Sequence, residues 1–150
     1  MRLTVHTDYA LRMLTHLGVL EGRTATIEEV AAAYGISRNH LMKIANLLQH
    51  HGVRNATRGK GGGLQLAKPA NTLRLGDLVQ TLEPDMALAE CLGDNNQCVV
   101  TSQCLLIGVL SDALGEFLRT LNQYTLEDIC VPKQKELRGL LRIDLTQHLQ

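Results

Sequence analysis

Between Thr26 and Gly52 the chain writes two helices and a turn so close together that few folds can hold them. In TIEE, Thr26 stands three residues before Glu29, the spacing at which each side chain can satisfy the other's backbone N–H at a helix start. The helix so opened runs through Val30, Ala31 and Ala32 to Tyr34. Gly35 supplies a turn, Ile36 packs, and Ser37 caps a further helix, SRNHLMKIANLLQHH, which Gly52 ends. Two short helices around a tight glycine-containing turn make a helix-turn-helix. Leu41, Ile44, Leu47 and Leu48 recur at helical spacing and predict the core face of the second helix. Its other side carries Ser37, Arg38, Asn39, His40 and Lys43 near the N-terminal end, the end a recognition helix presents to base edges in the major groove. Arg can pair with guanine and Asn with adenine, while Lys reaches a base or a phosphate. A solvated helix face looks much the same, so the flanking sequence has to decide.

The flanks favour nucleic acid. Upstream, residues 8–20 place Tyr9, Leu11, Met13, Leu14 and Leu17 in a mostly apolar helix, with Thr7 as expected N-cap and Glu21–Gly22 as its close. Downstream, VRNAT, RGKGGG and LQLAK read as two short strands around a glycine-rich hairpin bearing Arg58 and Lys60. The loop lacks the GK[ST] ending of a nucleotide-binding P-loop, and no βαβ pattern surrounds it. Behind a helix-turn-helix it reads as a wing that touches the DNA backbone. Charge agrees: residues 1–69 carry nine Lys/Arg against four Asp/Glu, and residues 70–150 six against eleven. No acidic residue separates Glu29 from Asp77, while Arg38, Lys43, Arg54, Arg58, Lys60 and Lys68 fall in that window. A basic face for a polyanion and an acidic half with another task are implied.

The second half holds a different chemistry. LRLGDLVQTLEPD predicts a short helix opened near Asp77 and stopped by Pro84. The loop beyond it carries Cys91, Cys98 and Cys104 with spacing C-x6-C-x5-C. Zinc sites prefer closer pairs plus a fourth ligand, and neither is evident here. Three soft thiolates within fourteen residues suit iron–sulfur, which normally takes four ligands; redox thiols and zinc stay open as alternatives. Cys130, 26 residues downstream, reads as a bystander. From Cys104 to about Gln123, Leu106, Val109, Leu110, Ala113, Leu114, Phe117, Leu118 and Leu121 form a broad apolar stripe that predicts a helix at a two-fold dimer interface. TLEDI, with Thr125 as cap, predicts a short closing helix, and the tail beyond Pro132 offers few anchors.

With aromatics at 3% and no Trp, the core rests on aliphatic residues, which suit helices better than a sandwich. The expected fold is mostly α: a winged helix-turn-helix domain with a small β-hairpin wing (1–80), a cysteine-bearing loop (81–104), a dimerisation helix with a closing helix (105–130), and a loosely ordered tail (131–150). The start MRLTVHTDYALR has no secretory h-region, and no run of 18 apolar residues occurs, so a cytoplasmic protein with no membrane partner is expected.

In order, LT..TDYALR, GISRNHLMKI, RGKGGGLQLAKPA, LGDLVQTLEP and the cysteine triad resemble the bacterial winged-helix iron–sulfur transcription regulators over roughly residues 1–130. Within them the chain is similar to the nitric-oxide-sensing branch. The resemblance implies a homodimeric repressor of double-stranded operator DNA, with nitric oxide as signal. It implies an iron–sulfur cluster, 4Fe–4S ahead of 2Fe–2S, on Cys91, Cys98 and Cys104, with a carboxylate from the partner subunit that maps to Asp8. A branch that senses iron–sulfur supply has a histidine three residues after the last cysteine, where this chain has Ile107. The gap of six residues between the first two cysteines is longer than the family's usual four or five. The alternatives are a regulator of the same fold that reports iron or redox status, and an iron–sulfur electron carrier or enzyme. No nucleophile and base stand out for the latter.

Overall fold

The first helix is placed by a residue 79 positions away: the backbone N–H of Thr4 donates to both carboxylate oxygens of Glu83, at 3.1 and 3.2 Å. Helix α1 (Val5–Gly18) therefore starts at a Thr4 cap, whose hydroxyl accepts the N–H of Thr7 at 3.3 Å. Thr7, the cap expected from sequence, lies a turn inside and is fully buried, and the helix closes at Gly18 rather than at Gly22. The structure is a computed structural model that describes residues 2–20, 22–57 and 63–143.

Helix α2 (Ile27–Tyr34) has the capping box of Thr26 and Glu29 in full, and Gly35 ends it in the left-handed region at φ 64°. Helix α3 (Arg38–His50) follows, with the Ser37 hydroxyl accepting the N–H of His40. Its buried face is Leu41, Ile44, Ala45 and Leu48, and Leu47 is half-buried at the margin. Strands β1 (Arg54–Thr57) and β2 (Gly63–Leu66) pair antiparallel from Arg54↔Leu66 to Thr57↔Gly63. A further bridge ties Leu64 to Ala25, so the hairpin is anchored to the entrance of α2.

Helix α4 (Leu75–Leu82) begins two residues before the expected start at Asp77. Its first N–H groups find distant acceptors: Leu75 donates to the Tyr124 carbonyl at 3.0 Å and Asp77 to Asn122 Oδ1 at 2.9 Å. Two turns of 3-10 helix (Glu90–Leu92 and Thr101–Gln103) punctuate the loop that leads to α5 (Leu106–Leu121). Helix α6 (Leu126–Cys130), opened by a second capping box at Thr125, packs back on α1 with Leu126 and Cys130 wholly buried. The closing helix thus belongs to the same core as the helix-turn-helix. Helix α7 (Gln134–Leu140) follows, and Leu137, Leu141 and Ile143 pack on that core. Burying Met13, Leu14, Leu20, Leu41, Ile44 and Leu48 supplies about 1.5–3 kcal/mol per side chain.

The contact of α1 with α6 requires a glycine. A Cβ on Gly18 would lie 2.7 Å from Cys130 Sγ, inside van der Waals contact. Gly18→Ala is expected to cost about 1–3 kcal/mol through overpacking. Thermal unfolding should show most of that loss recovered in the Gly18→Ala/Cys130→Ala double variant, and equal losses in both proteins would place the strain elsewhere.

Candidate DNA interface and cysteine loop

Capping by Ser37 aims the first turn of α3 outward. Arg38, Asn39, His40 and Lys43 are all exposed there, on one end of one helix. Arg38 is not idle: its Nε donates to Glu28 Oε1 at 2.5 Å, a hydrogen bond that holds the Glu28 carboxyl below its usual pKa. Both side chains are about 60% exposed, so water screens the pair and a base or phosphate can displace Glu28. Glu28 was not legible as a partner from sequence, ten residues upstream and across the turn.

His40 touches α1. Its ring lies 6.3 Å from that of Tyr9, and the Arg12 guanidinium sits 5.8 Å from the Tyr9 centroid. Arg12 in turn grips Asp8 with two hydrogen bonds, Nε to Oδ1 at 3.1 Å and Nη2 to Oδ2 at 2.8 Å. Asp8, Arg12, Tyr9 and His40 therefore form a run of contacts from the start of α1 to the recognition helix. Arg54, counted in the basic window, turns inward instead, where its Nε donates to the Ala45 carbonyl at 2.7 Å and burial lowers its pKa. Arg58 and Lys60, the expected wing contacts, lie outside the described residues.

The cysteine loop is held mainly by its own polar groups. The Gln97 N–H donates to Glu90 Oε1 at 2.8 Å, the Cys98 N–H to Asn96 Oδ1 at 2.9 Å, and the Thr101 hydroxyl to the Cys98 carbonyl at 2.7 Å. Cys98 is exposed, Cys91 and Cys104 are half-buried, and all three are free thiols. Among the described residues no three His, Cys, Asp or Glu side chains gather as they would around one metal ion. The donor type fits an iron–sulfur cluster, but one chain as folded does not bring a ligand set together: Asp8 stands on α1, engaged by Arg12. Glu83, the residue just ahead of Pro84 at the root of this loop, is the acceptor that fixes the start of α1. That link also escaped the sequence reading, because its two ends are so far apart in the chain.

Cys130 is separate from the loop. It is fully buried, its thiol lies 3.7 Å from the Thr15 carbonyl, and burial pushes its pKa up to about 11, which makes it a poor nucleophile. On α5 no residue is fully buried. Leu110, Leu114, Phe117, Leu118 and Leu121 are half-buried, whereas Leu106 and Val109 stay 56% and 62% exposed. With Val99, Val100 and Leu105 they extend the exposed apolar surface from the loop onto the helix.

If this face reads DNA, Arg38→Ala is expected to cost about 1–3 kcal/mol of operator binding and to relax sequence preference. Lys43→Ala should weaken all sequences alike and shrink the salt slope by about one unit if it meets a phosphate. Shift assays across a salt series check both, and wild-type binding by both variants would displace the interface from this end of α3.

A family model, Rrf2, described as an iron-dependent transcriptional regulator, matches residues 3–132. The fold is similar to that of CymR (YrzC), the global cysteine regulator of B. subtilis, at TM-score 0.67 and 21% identity, over 88% of this chain and 98% of that one. It is similar to IscR of T. potens at TM-score 0.73 and 17% identity, over 91% and 90%. The oxidized form of CymR from Staphylococcus aureus matches at TM-score 0.64 and 23% identity, over 86% and 95%.

Proposed function

Because the chain belongs to the Rrf2 family of transcriptional regulators, we propose that it is a homodimeric, cytoplasmic operator-binding repressor of the NsrR type, which responds to nitric oxide through an iron–sulfur cluster. As a family of regulators, Rrf2 sets enzymatic readings of the cysteines aside. Among the described residues no helix is long and apolar enough to cross a membrane. The observation that carries the reading is the pairing of a three-thiol loop with the helix that bears Asp8, joined at Thr4–Glu83. Cys91, Cys98 and Cys104 would hold the cluster, 4Fe–4S rather than 2Fe–2S, with the partner subunit's Asp8 as the oxygen ligand. The cluster, when bound, supplies iron reactive toward nitric oxide.

What the protein contributes is the choice available to Asp8. Engaged by Arg12, its carboxylate keeps that guanidinium over Tyr9, which abuts His40 of the recognition helix. Drawn away to the cysteine loop of the other subunit, it releases Arg12 and ties two subunits together. The separation of the two α3 helices then fits half-sites about 34–36 Å apart, or a multiple of that.

Asp8→Ala tests this directly. The Asp8–Arg12 pair is nearly half exposed, at 46% and 45%, so its loss costs stability less than about 1 kcal/mol. A ligand role predicts an altered visible spectrum and operator affinity that no longer follows the cluster, and Asp8→Cys should resist nitric oxide better than wild type. An unchanged spectrum and nitric-oxide response in both variants would remove Asp8 from the site. A regulator of iron supply is the reading that the family's iron dependence also favours. It predicts release of operator on iron removal without a selective response to nitric oxide, which an anaerobic titration distinguishes.

A further inference from the structure

Glu28 is a carboxylate at the edge of a face expected to meet a polyanion, a placement that electrostatics alone disfavours. Glu29, the next residue, is engaged on both oxygens, by the Thr26 N–H at 2.6 Å and by Arg23 Nη1 at 3.0 Å. Glu28 instead reaches across the turn to Arg38, whose Nε donates to its Oε1. The backbone between the two is fixed by the Thr26 capping box, the left-handed Gly35 and the Ser37 cap, with Val30, Ile36 and Leu41 buried in the core. Two exposed side chains thus meet on a rigid frame.

A guanidinium offers two edges to acceptors. Its side edge is Nε with one Nη, and its end edge is the pair of Nη groups, a fork that matches O6 and N7 of guanine. Here Nε is taken, and neither Nη has a hydrogen-bond partner among the described residues. A phosphate and a base edge meet this arrangement differently. A phosphate brings a second negative charge up to the Glu28 carboxylate. Water screens that repulsion in the free protein, and less so once a groove closes over the pair. A guanine edge carries no net charge and takes the fork with the pair intact. Holding Nε also removes rotamer freedom that Arg38 would otherwise lose on binding. An acidic residue in the first turn of α2 also suits the helix dipole, but that role acts on stability and is blind to base identity.

We infer that Glu28 is a positioning residue that makes Arg38 a reader of a guanine edge rather than a clamp on phosphate. The assignment rests on the reading of this end of α3 as the DNA face.

A duplex selected by the wild-type protein from a random-sequence library serves as the probe, and the base pair whose preference Arg38→Ala abolishes marks what Arg38 reads. Wild type is expected to discriminate that pair by roughly 5–150-fold. Glu28→Ala should lose most of that discrimination, keep the preferences at other pairs, and bind random duplex more tightly with a salt slope steeper by about one unit. Glu28→Gln, whose amide oxygen still accepts from Nε, should keep the preference. In an Arg38→Ala background, Glu28→Ala should change nothing further at that pair. Should Glu28→Ala fail to fold, Glu28→Ser, which suits a helix start but cannot reach Arg38, carries the same expectation. An unchanged preference at the Arg38 pair, or a uniform change at every pair, would overturn this assignment while leaving the DNA reading in place. A wild type that selects no sequence, or a site with no pair sensitive to Arg38, would overturn the DNA face and the role of Glu28 together.

Discussion

Alanine at any one of Cys91, Cys98 and Cys104 is expected to strip the anaerobically purified protein of its visible absorbance and to weaken operator binding about 5–150-fold. That range corresponds to a coupling of about 1–3 kcal/mol between the sensing loop and the DNA-binding face. The fold should survive each substitution, because the loop lies at the surface and its cysteines add nothing to the buried core. Loss of absorbance with normal thermal unfolding is therefore the signature. Cys130→Ala should do the reverse. It deletes a buried sulfur beneath α1, costs stability of the order of 1 kcal/mol, and leaves both spectrum and operator affinity intact. A Cys130→Ala protein that loses its absorbance with its fold intact would make the fourth ligand a thiolate. Triad variants that keep theirs would remove the cluster from this loop.

Placing a lysine at Val109 is expected to convert a dimer into a monomer. In the single chain Val109 is 62% exposed, so the charge remains in water and the folded monomer loses little. In a dimer seamed along this face the same lysine would be desolvated without a partner, which few interfaces withstand. Two half-sites joined in one molecule act through their effective concentration, and separating them should reduce operator affinity by about 10²–10⁴-fold. Sedimentation equilibrium and a shift assay on the same sample check both parts. A variant that stays dimeric would move the interface elsewhere, and one that becomes monomeric yet binds operator normally would show that the half-sites act singly.

Much of this protein was legible in its residues because the signals are local. The capping boxes at Thr26–Glu29 and Thr125–Asp128 and the Ser37 cap each lie within one turn, so the sequence places these helix starts correctly. The hairpin is written in its glycines and the apolar stripe of α5 in its period. The resemblance that ties the triad to a regulator likewise rests on short motifs in order.

Tertiary structure decided whatever depends on a partner far along the chain. Thr4 rather than Thr7 starts α1 because Glu83 holds it, and α4 starts early because Asn122 and Tyr124 accept its first N–H groups. Arg54 and Arg38 carry the same charge in the same basic window. One is buried on the Ala45 carbonyl, and the other is exposed beside Glu28. The stripe on α5 divides into half-buried residues (Leu110, Leu114, Phe117, Leu118 and Leu121) and exposed ones (Leu106 and Val109), a distinction no periodicity contains. His16 has the look of any helical histidine until α2 and the segment at Leu141–Ile143 close over it. A local window records what a residue prefers, but burial and pairing are properties of the groups that fold against it, and those arrive from 9 positions away for Arg54 to 115 for Cys130.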